Sequence, residues 1–239
     1  MWLPALSALC LLAGSRWRSV FLAGVLLELS CLAGRGLSAG RLPLIGPHDT
    51  LLLFAVSIAV MGGLASLAPS LRSEQLLLPA TGWISGGFTL AALMFKPLNM
   101  PLPLILDTVW FELHVILAFF SYALFTVGGV LCALYLFNGR QRHVIDVQFK
   151  VALVGWAFFS ASMITGGIWG YYAWGTYWLW TAKELWTSIL WLYYSLLLHL
   201  RLKGGLRGVP AACAGIAGVC IMLFTYLGVS MLMKSSHSF

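Results

Sequence analysis

Long apolar runs alternate with short polar stretches from one end of the chain to the other. Runs of about 17 to 25 mostly apolar residues are typical of helices that cross a bilayer. The pattern therefore predicts an all-α fold, a polytopic transmembrane helical bundle of about eight segments. The predicted segments are 2–15, 19–34, 50–69, 76–95, 112–137, 151–170, 183–200 and 209–233, of which the first two are short for a full span.

Composition favours a membrane protein over a soluble one. The chain has 239 residues, of which 61% are hydrophobic and only 9% are charged, far less charge than a soluble domain carries. We expect a single integral membrane domain over 1–239, with an N-terminal four-helix part at 1–95 and a second part at 96–239. The three prolines in residues 96–111 predict an extended or re-entrant outer loop at the start of the second part.

The basic residues predict how the bundle is oriented, because cytoplasmic loops carry an excess of Lys and Arg. Placing the N-terminus outside leaves nine basic residues on the inner side and five on the outer side. Both termini, and the loop between the sixth and seventh segments, are therefore predicted to lie outside. This topology accounts for the net charge of +7 without a nucleic-acid partner. The inner set is Arg16, Arg18, Arg72, Arg140, Arg142, Lys150, Arg201, Lys203 and Arg207, and the outer set is Arg35, Arg41, Lys96, Lys183 and Lys234.

Cysteines and one acidic residue interrupt the apolar runs. The five cysteines form no C-x-x-C pair, which argues against a zinc site, a dithiol relay or haem attached covalently to this chain. They are predicted to be small core residues. Glu28 stands inside the second run, and an acid at membrane depth is costly. We therefore expect Glu28 to face the interior of the bundle or the membrane edge.

The histidines fall at different depths of the predicted bundle. His114 opens the fifth segment and His237 follows the eighth, so both are predicted at the outer edge. The seventh helix is predicted to begin at a capping box, with Thr181 as N-cap and Glu184 reaching back to its N–H. At about 1.5 Å per residue, His199 then lies roughly 25 Å below the outer loop, close to the inner face. The remaining two are interpreted as turn and loop residues, His48 and His143.

Four tryptophans lie within twelve residues at the predicted outer face: Trp169, Trp174, Trp178 and Trp180. Indole rings are flat, rigid and apolar, so a floor of them could hold a porphyrin by stacking while Lys183 or Lys96 meets its carboxylates. His114 and His237, as neutral imidazoles, would then supply two axial ligands to haem iron. The alternative is an aromatic belt that anchors the protein at the membrane interface.

The stretch GGIWGYYAWGTYWLWTAKELW (residues 166–186) resembles the "WWD" signature of the haem-handling family of cytochrome c assembly proteins, in particular the CcsA (ResC) type of the System II cytochrome c synthase. The resemblance covers roughly residues 40–239 and is strong from 108 onward. Its WWD-like loop corresponds to residues 169–184. Three further elements follow the family's order: Glu112-Leu-His114-Val with Ser121-Tyr122-Ala123, Leu198-His199-Leu-Arg201, and His237-Ser238.

This resemblance implies a membrane protein that exports haem b and presents it at the outer face for covalent attachment to the C-x-x-C-H thiols of apocytochrome c. It implies a cytochrome c haem lyase subunit that acts with a CcsB (ResB) type partner in a bacterial inner membrane, with the haem site facing the periplasm. His114 and His237 would ligate the iron, and His199 would hold haem in transit. The signature residues implied to contact haem are Trp169, Trp174, Trp178, Trp180, Thr181 and Lys183, and no catalytic residue is identified.

The sequence also departs from the family pattern. The signature Asp is Thr181 here, and the Pro that follows it is Ala182, which retains a helix start but loses a carboxylate. Tyr172 stands where the family often has an acid, and Ile45-Gly-Pro-His48-Asp49 replaces its NLYE-like segment. Two alternatives therefore stay open: a CcmC-like haem exporter or chaperone without ligase activity, and a structural subunit of a membrane complex.

Overall fold

The computed structural model describes residues 2–14, 17–71 and 73–233, and all regular structure in these ranges is helical. The chain forms two compact units, Met1–Asp107 and Thr108–Phe239. A single 3-10 turn, Pro69–Leu71, lies in the first unit, and a π-helical turn, Phe224–Gly228, followed by Val229–Leu232 extends the last helix. The eight main helices are α1 (Trp2–Ala13), α2 (Arg18–Ala39), α3 (Pro47–Ser66), α4 (Leu77–Ala92), α5 (Val109–Phe137), α6 (Arg142–Trp174), α7 (Ala182–Leu202) and α8 (Gly208–Leu223).

The predicted all-α fold is confirmed, since each of the eight apolar runs overlaps one helix. Within the described ranges, five helices are long and apolar enough to cross a membrane: 18–39, 47–66, 109–137, 142–174 and 208–232. The second predicted segment was too short: α2 has 22 residues and extends to Ala39, where Gly40 ends it at φ 63°. Glycine tolerates this left-handed conformation, so it fixes the end of the helix independently of hydrophobicity.

The sixth segment also differs from its prediction. Helix α6 has 33 residues and continues to Trp174, where Gly175 (φ 73°) caps it. The predicted loop at 169–184 is therefore corrected, because only residues 175–181 are non-helical. A helix predicted from hydrophobicity ends where polar residues begin, whereas α6 continues to the glycine that caps it. Half of the aromatic stretch is consequently held on a rigid helix.

In the first unit, α1 packs against α2 and α4, and α3 packs against α4. Its core includes a cluster formed by Leu11, Phe21, Val25 and Ala59. Glu28 is fully buried in this unit, which confirms that it faces inward. Thr89 donates to one carboxyl oxygen of Glu28, and the Ser85 hydroxyl lies 3.4 Å from the other. The acid thus links α2 to α4.

A polar cluster anchors the irregular segment that leads into α5. Arg35 contacts the buried Asp49 carboxylate through Nε at 3.1 Å and Asn99 through Nη1 at 2.7 Å, and it also donates to the Leu98 carbonyl. His48 lies in the first turn of α3, with Nδ1 2.8 Å from the same carboxylate. The predicted proline-rich loop is non-helical as far as residue 108. It ends earlier than predicted because Thr108 caps α5.

The second unit is built on the long α5–α6 pair, with α8 against α5 and α7 against both α6 and α8. At one end, Arg201 near the end of α7 donates to the Ile145 carbonyl near the start of α6 at 2.9 Å. At the other end, Lys183 at the start of α7 donates at 2.9 Å to Ser230, in the Val229–Leu232 segment that follows the π-helical turn. The two contacts define the opposite ends of this unit.

Midway along α6 and α7, two tryptophans and two serines form a reciprocal pair of hydrogen bonds, called here the Trp–Ser clasp. The indole N–H of Trp156 donates to Ser195 at 2.8 Å, and that of Trp191 donates to Ser160 at 2.9 Å. The ring centroids of the two tryptophans are 5.7 Å apart. Each serine hydroxyl donates in turn to its own helix, so all four groups are satisfied.

The π-helical turn of the last helix packs against α5. Tyr226, within the turn, meets Phe119 edge to face with ring centroids 5.2 Å apart and lies 6.1 Å from the ring of Tyr122. Such turns insert one extra residue into a helix and recur at functional sites. In this chain the turn ends at Gly228, two residues before the serine that contacts Lys183.

Candidate functional site

The start of α7 is fixed by a capping box, as predicted. The backbone N–H of Glu184 donates to the Thr181 hydroxyl at 3.3 Å, and the Glu184 carboxylate accepts from the Thr181 N–H at 2.8 Å. The same carboxylate accepts from the N–H of Leu179 at 3.1 Å. Thr181 therefore holds the loop onto the helix through its hydroxyl and its backbone N–H.

His114 lies in the second turn of α5 and points at α6. Its Nδ1 is 2.8 Å from the Ser162 carbonyl oxygen. The Ser162 hydroxyl donates to the His114 carbonyl at 2.9 Å and lies 3.1 Å from the imidazole Nδ1. Trp169 is nearly parallel to the imidazole, at an angle of 12° and a centroid distance of 6.5 Å. The imidazole is thus placed between the backbone of α6 and an indole ring.

The four signature tryptophans form two pairs. Trp169 is buried and meets Trp174 edge to face at 4.8 Å, and it also packs on Phe111 at 5.2 Å. Trp178 and Trp180 form an edge-to-face pair 6.4 Å apart. Trp180 is 70% exposed and has φ 57°. The first pair therefore supports His114, and the second presents an aromatic surface in the loop.

Further aromatic surface surrounds the same loop. The rings of Tyr171 and Tyr177 stack at 4.8 Å, and Tyr177 is 61% exposed. Tyr172 is 70% exposed. Gly170 allows the loop backbone to approach α6, because a Cβ there would lie 3.3 Å from the Thr176 carbonyl oxygen. Flat, partly apolar rings with polar edges suit both a planar ligand and a membrane interface.

Lys183 brings a cation to this end of the unit. The side chain is half-buried, and its ammonium is 2.9 Å from the Ser230 hydroxyl, as described above. His237 lies outside the described residues, which end at Met233. The last described turn of the chain is therefore at the same end of the unit as the start of α7 and the aromatic loop.

His199 lies in the last turn of α7, at the other end of the unit from the aromatic loop. It is exposed, and two residues later Arg201 binds α6, with its guanidinium also 5.5 Å from the Phe149 ring. The prediction that His199 lies far from His114 along the bundle is thus confirmed. The two imidazoles belong to opposite ends of the same helical unit.

Two residues at the site were not singled out from the sequence as partners of His114: Ser162 and Gly166. Together with Trp169 they form the pattern S-x3-G-x2-W, which places all three on one face of α6. A Cβ at Gly166 would lie 2.5 Å from Nδ1 of His114, so the glycine makes room for the imidazole. The S-x3-G-x2-W spacing can be seen in the sequence, but His114, which these residues contact, lies 48 positions from Ser162.

Chemically, this end of the unit combines three kinds of group. His114 offers an imidazole whose Nδ1 is engaged, the loop offers exposed indole and phenol rings, and Lys183 offers an ammonium. Among the described residues there is no cluster of three or more His, Cys, Asp or Glu that could hold a bare metal ion. The groups suit a flat apolar ligand that carries its own metal and acidic substituents.

Comparison with known proteins agrees with this chemistry. The chain is 26% identical over 231 residues to "Cytochrome c biogenesis protein CcsA" of Chlamydomonas reinhardtii, covering 90% of this chain and 65% of the relative. It is 26% identical to the protein of that name from Trieres chinensis, over 92% of this chain and 85% of the relative. A Prochlorococcus marinus (strain MIT 9515) protein of that name is 30% identical over 56% of this chain and 54% of the relative.

The chain thus spans less than two thirds of the length of two of these relatives, and most of the length of the third. A family model described as "Cytochrome C assembly protein" matches residues 45–237, which include the His114 cluster, the aromatic loop and both ends of α7. Together with the apolar helices, the match makes this chain an integral membrane protein of CcsA type. The chain belongs to the cytochrome c assembly protein family.

Proposed function

We propose that this protein carries haem b to the outer face of its membrane and positions it there for covalent attachment to apocytochrome c. The observation that carries the proposal is the His114 imidazole, fixed by Ser162 and Trp169 beside an exposed aromatic loop. Because a carbonyl oxygen can only accept, Nδ1 of His114 carries the proton. In the neutral form of the ring, the lone pair is then on Nε2, the nitrogen that would ligate iron.

His237 would be the second residue to ligate the haem iron. It follows the last described residue by four positions, and the described chain ends near Lys183. Lys183 would meet a haem propionate, and Trp174, Trp178 and Trp180 would contact the porphyrin plate. Haem supplies the reactive vinyl groups, while the protein orients them toward the two thiols of the apocytochrome.

His199 is proposed as the ligand of haem in transit. It is exposed at the end of α7 opposite the aromatic loop, so a second chain could contact it. A CcsB (ResB) type partner would supply the other ligand. The proposed location is a bacterial inner membrane, with the aromatic loop on the periplasmic side.

The decisive experiment is haem spectroscopy on the purified membrane protein. The proposal predicts a Soret band, and it predicts that His114→Ala combined with His237→Ala removes the low-spin spectrum of the reduced form. His143→Ala is the matched control, because His143 lies at the other end of α6 and should leave the spectrum unchanged. An unchanged spectrum in the double variant, or no haem binding at all, would contradict the proposal and favour a structural subunit.

A CcmC-like exporter or chaperone without ligase activity is the second candidate. The observation in its favour is Thr181, which caps α7 but lacks the carboxylate of the family's signature. Co-expression with a C-x-x-C-H apocytochrome, with and without a CcsB type partner, separates the two. Covalent haem on the cytochrome that depends on the partner supports the synthase, whereas haem binding without covalent product supports the chaperone.

A further inference from the structure

We propose that Ser162 and Gly166 are positioning residues, which hold His114 in the tautomer and orientation that haem ligation requires. The inference rests on the proposed function and adds two residues on α6 to it. Neither residue would touch the haem. Both act through the imidazole, and both lie on the face of α6 that carries Trp169.

The contacts between His114 and Ser162 are reciprocal. His114 donates from its side chain to the Ser162 backbone, and Ser162 donates from its side chain to the His114 backbone. The Ser162 residue is 1% exposed, so water does not compete for these groups. Two opposed bonds fix both the rotation of the imidazole and the position of the α5 turn that carries it.

The acceptor for the ring N–H of His114 is a backbone carbonyl oxygen. Histidines that bind metals usually donate their other ring N–H to a carboxylate or a carbonyl, which sets the tautomer and the direction of the lone pair. The Ser162 carbonyl does this for His114. In the same chain His48 approaches a carboxylate instead, that of Asp49, which Arg35 also contacts. His114 therefore has, in a backbone carbonyl, a partner of the kind that metal-binding histidines use.

Gly166 leaves the space that the His114 imidazole occupies. In an α-helix the carbonyl of residue 162 already faces the N–H of residue 166, so a side chain at 166 would stand beside any further donor. A Cβ at Gly166 would lie 2.5 Å from Nδ1 and 2.8 Å from Cε1 of His114. Contacts this short force the ring away from the carbonyl. Glycine at 166 is thus what allows an imidazole from α5 to reach the backbone of α6.

The test compares two adjacent glycines in the full-length protein. Gly166→Ala is expected to convert bound haem from the six-coordinate low-spin form to a five-coordinate high-spin form, and added imidazole is expected to restore the low-spin spectrum. Gly167→Ala is the matched control, because a Cβ there would lie at an ordinary 3.5 Å from the Tyr177 carbonyl oxygen. Its spectrum should match that of the unmodified protein.

Ser162→Ala provides a second variant that adds no volume. It removes the hydroxyl bonds but keeps the carbonyl, so a partial high-spin fraction that imidazole abolishes is expected. If Gly166→Ala fails to fold, an unchanged spectrum in Ser162→Ala overturns the inference. His114→Ala, measured in parallel, distinguishes a failure of the proposed function from a failure of the positioning role alone. No effect of His114→Ala refutes the proposed function, whereas an effect of His114→Ala with a normal Gly166→Ala spectrum refutes only the positioning role.

Discussion

At the scale of single residues, the aromatic loop depends on a few local contacts. Thr181 and Glu184 satisfy each other's backbone N–H groups, and Glu184 also accepts from Leu179. These contacts span five positions at most, which is why the cap could be predicted from the sequence. The contact between His114 and Ser162 spans 48 positions, so nothing local signals it. The sequence analysis singled out His114 but not Ser162 as its partner.

Replacing Thr181 by Val should destabilise the protein by about 1 kcal/mol, because the N–H of Glu184 loses its acceptor. For a protein of this size the corresponding loss in Tm is roughly 2–4 °C. Thr181→Asp should retain the Tm, since a carboxylate caps equally well and complements the helix dipole. Circular dichroism during heating in detergent measures these differences.

Thr187→Val is the control for this comparison, because the Thr187 hydroxyl bonds only back to the Lys183 carbonyl within α7. Its Tm should remain close to that of the unmodified protein. An equal loss in Thr181→Asp and Thr181→Val would show that the hydroxyl does more than cap the helix.

Replacing Lys183 by Met should weaken haem binding while leaving the low-spin spectrum of the bound fraction intact. A charge-assisted bond contributes about 1.5–3 kcal/mol, which corresponds to a roughly 10- to 100-fold higher Kd. Lys183→Arg should restore most of the affinity. Haem titration followed by Soret absorbance measures each Kd.

Lys203→Met serves as the matched control, since Lys203 is exposed at the opposite end of α7. The same loss of affinity in both Met variants would indicate a general effect of net charge and would argue against a propionate contact at Lys183.

At the scale of helices, the hydrophobic pattern predicts that a helix exists more reliably than it predicts where that helix begins and ends. All eight apolar runs became helices, yet α2 and α6 run several residues further than predicted, to their capping glycines at 40 and 175. No single apolar run shows which other helix its own helix will pack against. The Trp–Ser clasp joins α6 to α7 through residues that read in the sequence as ordinary members of apolar segments.

The clasp leads to a prediction about helix pairing. Trp156→Phe and Ser195→Ala each remove one partner of the same hydrogen bond, so their effects on unfolding free energy should be non-additive by about 0.6 kcal/mol, the average for such bonds in membrane proteins. Trp156→Phe combined with Ser160→Ala should be nearer to additive, because Ser160 accepts from Trp191. Reversible unfolding in mixed detergent micelles measures both cycles. Equal coupling in both would contradict the assigned pairing.

At the scale of the whole molecule, the second unit has two chemically different ends. One end carries His114, the aromatic loop and Lys183, and the other carries His199 and the basic residues near Arg201. Counting basic loop residues predicts which end is cytoplasmic, because cations are retained on that side. The depth of a residue in the bundle follows from its position along its helix. Which end of the bundle faces the cytoplasm follows only from the distribution of basic residues.

Cysteine labelling tests this orientation. In a chain whose five native cysteines are replaced by alanine, Tyr177→Cys should react with a membrane-impermeant maleimide in intact cells, because Tyr177 is 61% exposed in the loop predicted to lie outside. Asn138→Cys, in the exposed α5–α6 connection, should react only after permeabilisation. The reverse pattern would invert the topology and put the aromatic loop in the cytoplasm.

The extra residue in the π-helical turn at 224–228 sets the phase of everything that follows it in the last helix. One residue corresponds to about 100° of rotation around an α-helical axis. Ser230 meets Lys183 with that offset included. Deleting one residue from the turn would keep the sequence that follows in the helix but rotate those residues by about a quarter of a revolution around the helix axis. The face of the helix on which Val229–Leu232 present their side chains is thus set by a single insertion beside Phe119 and Tyr122.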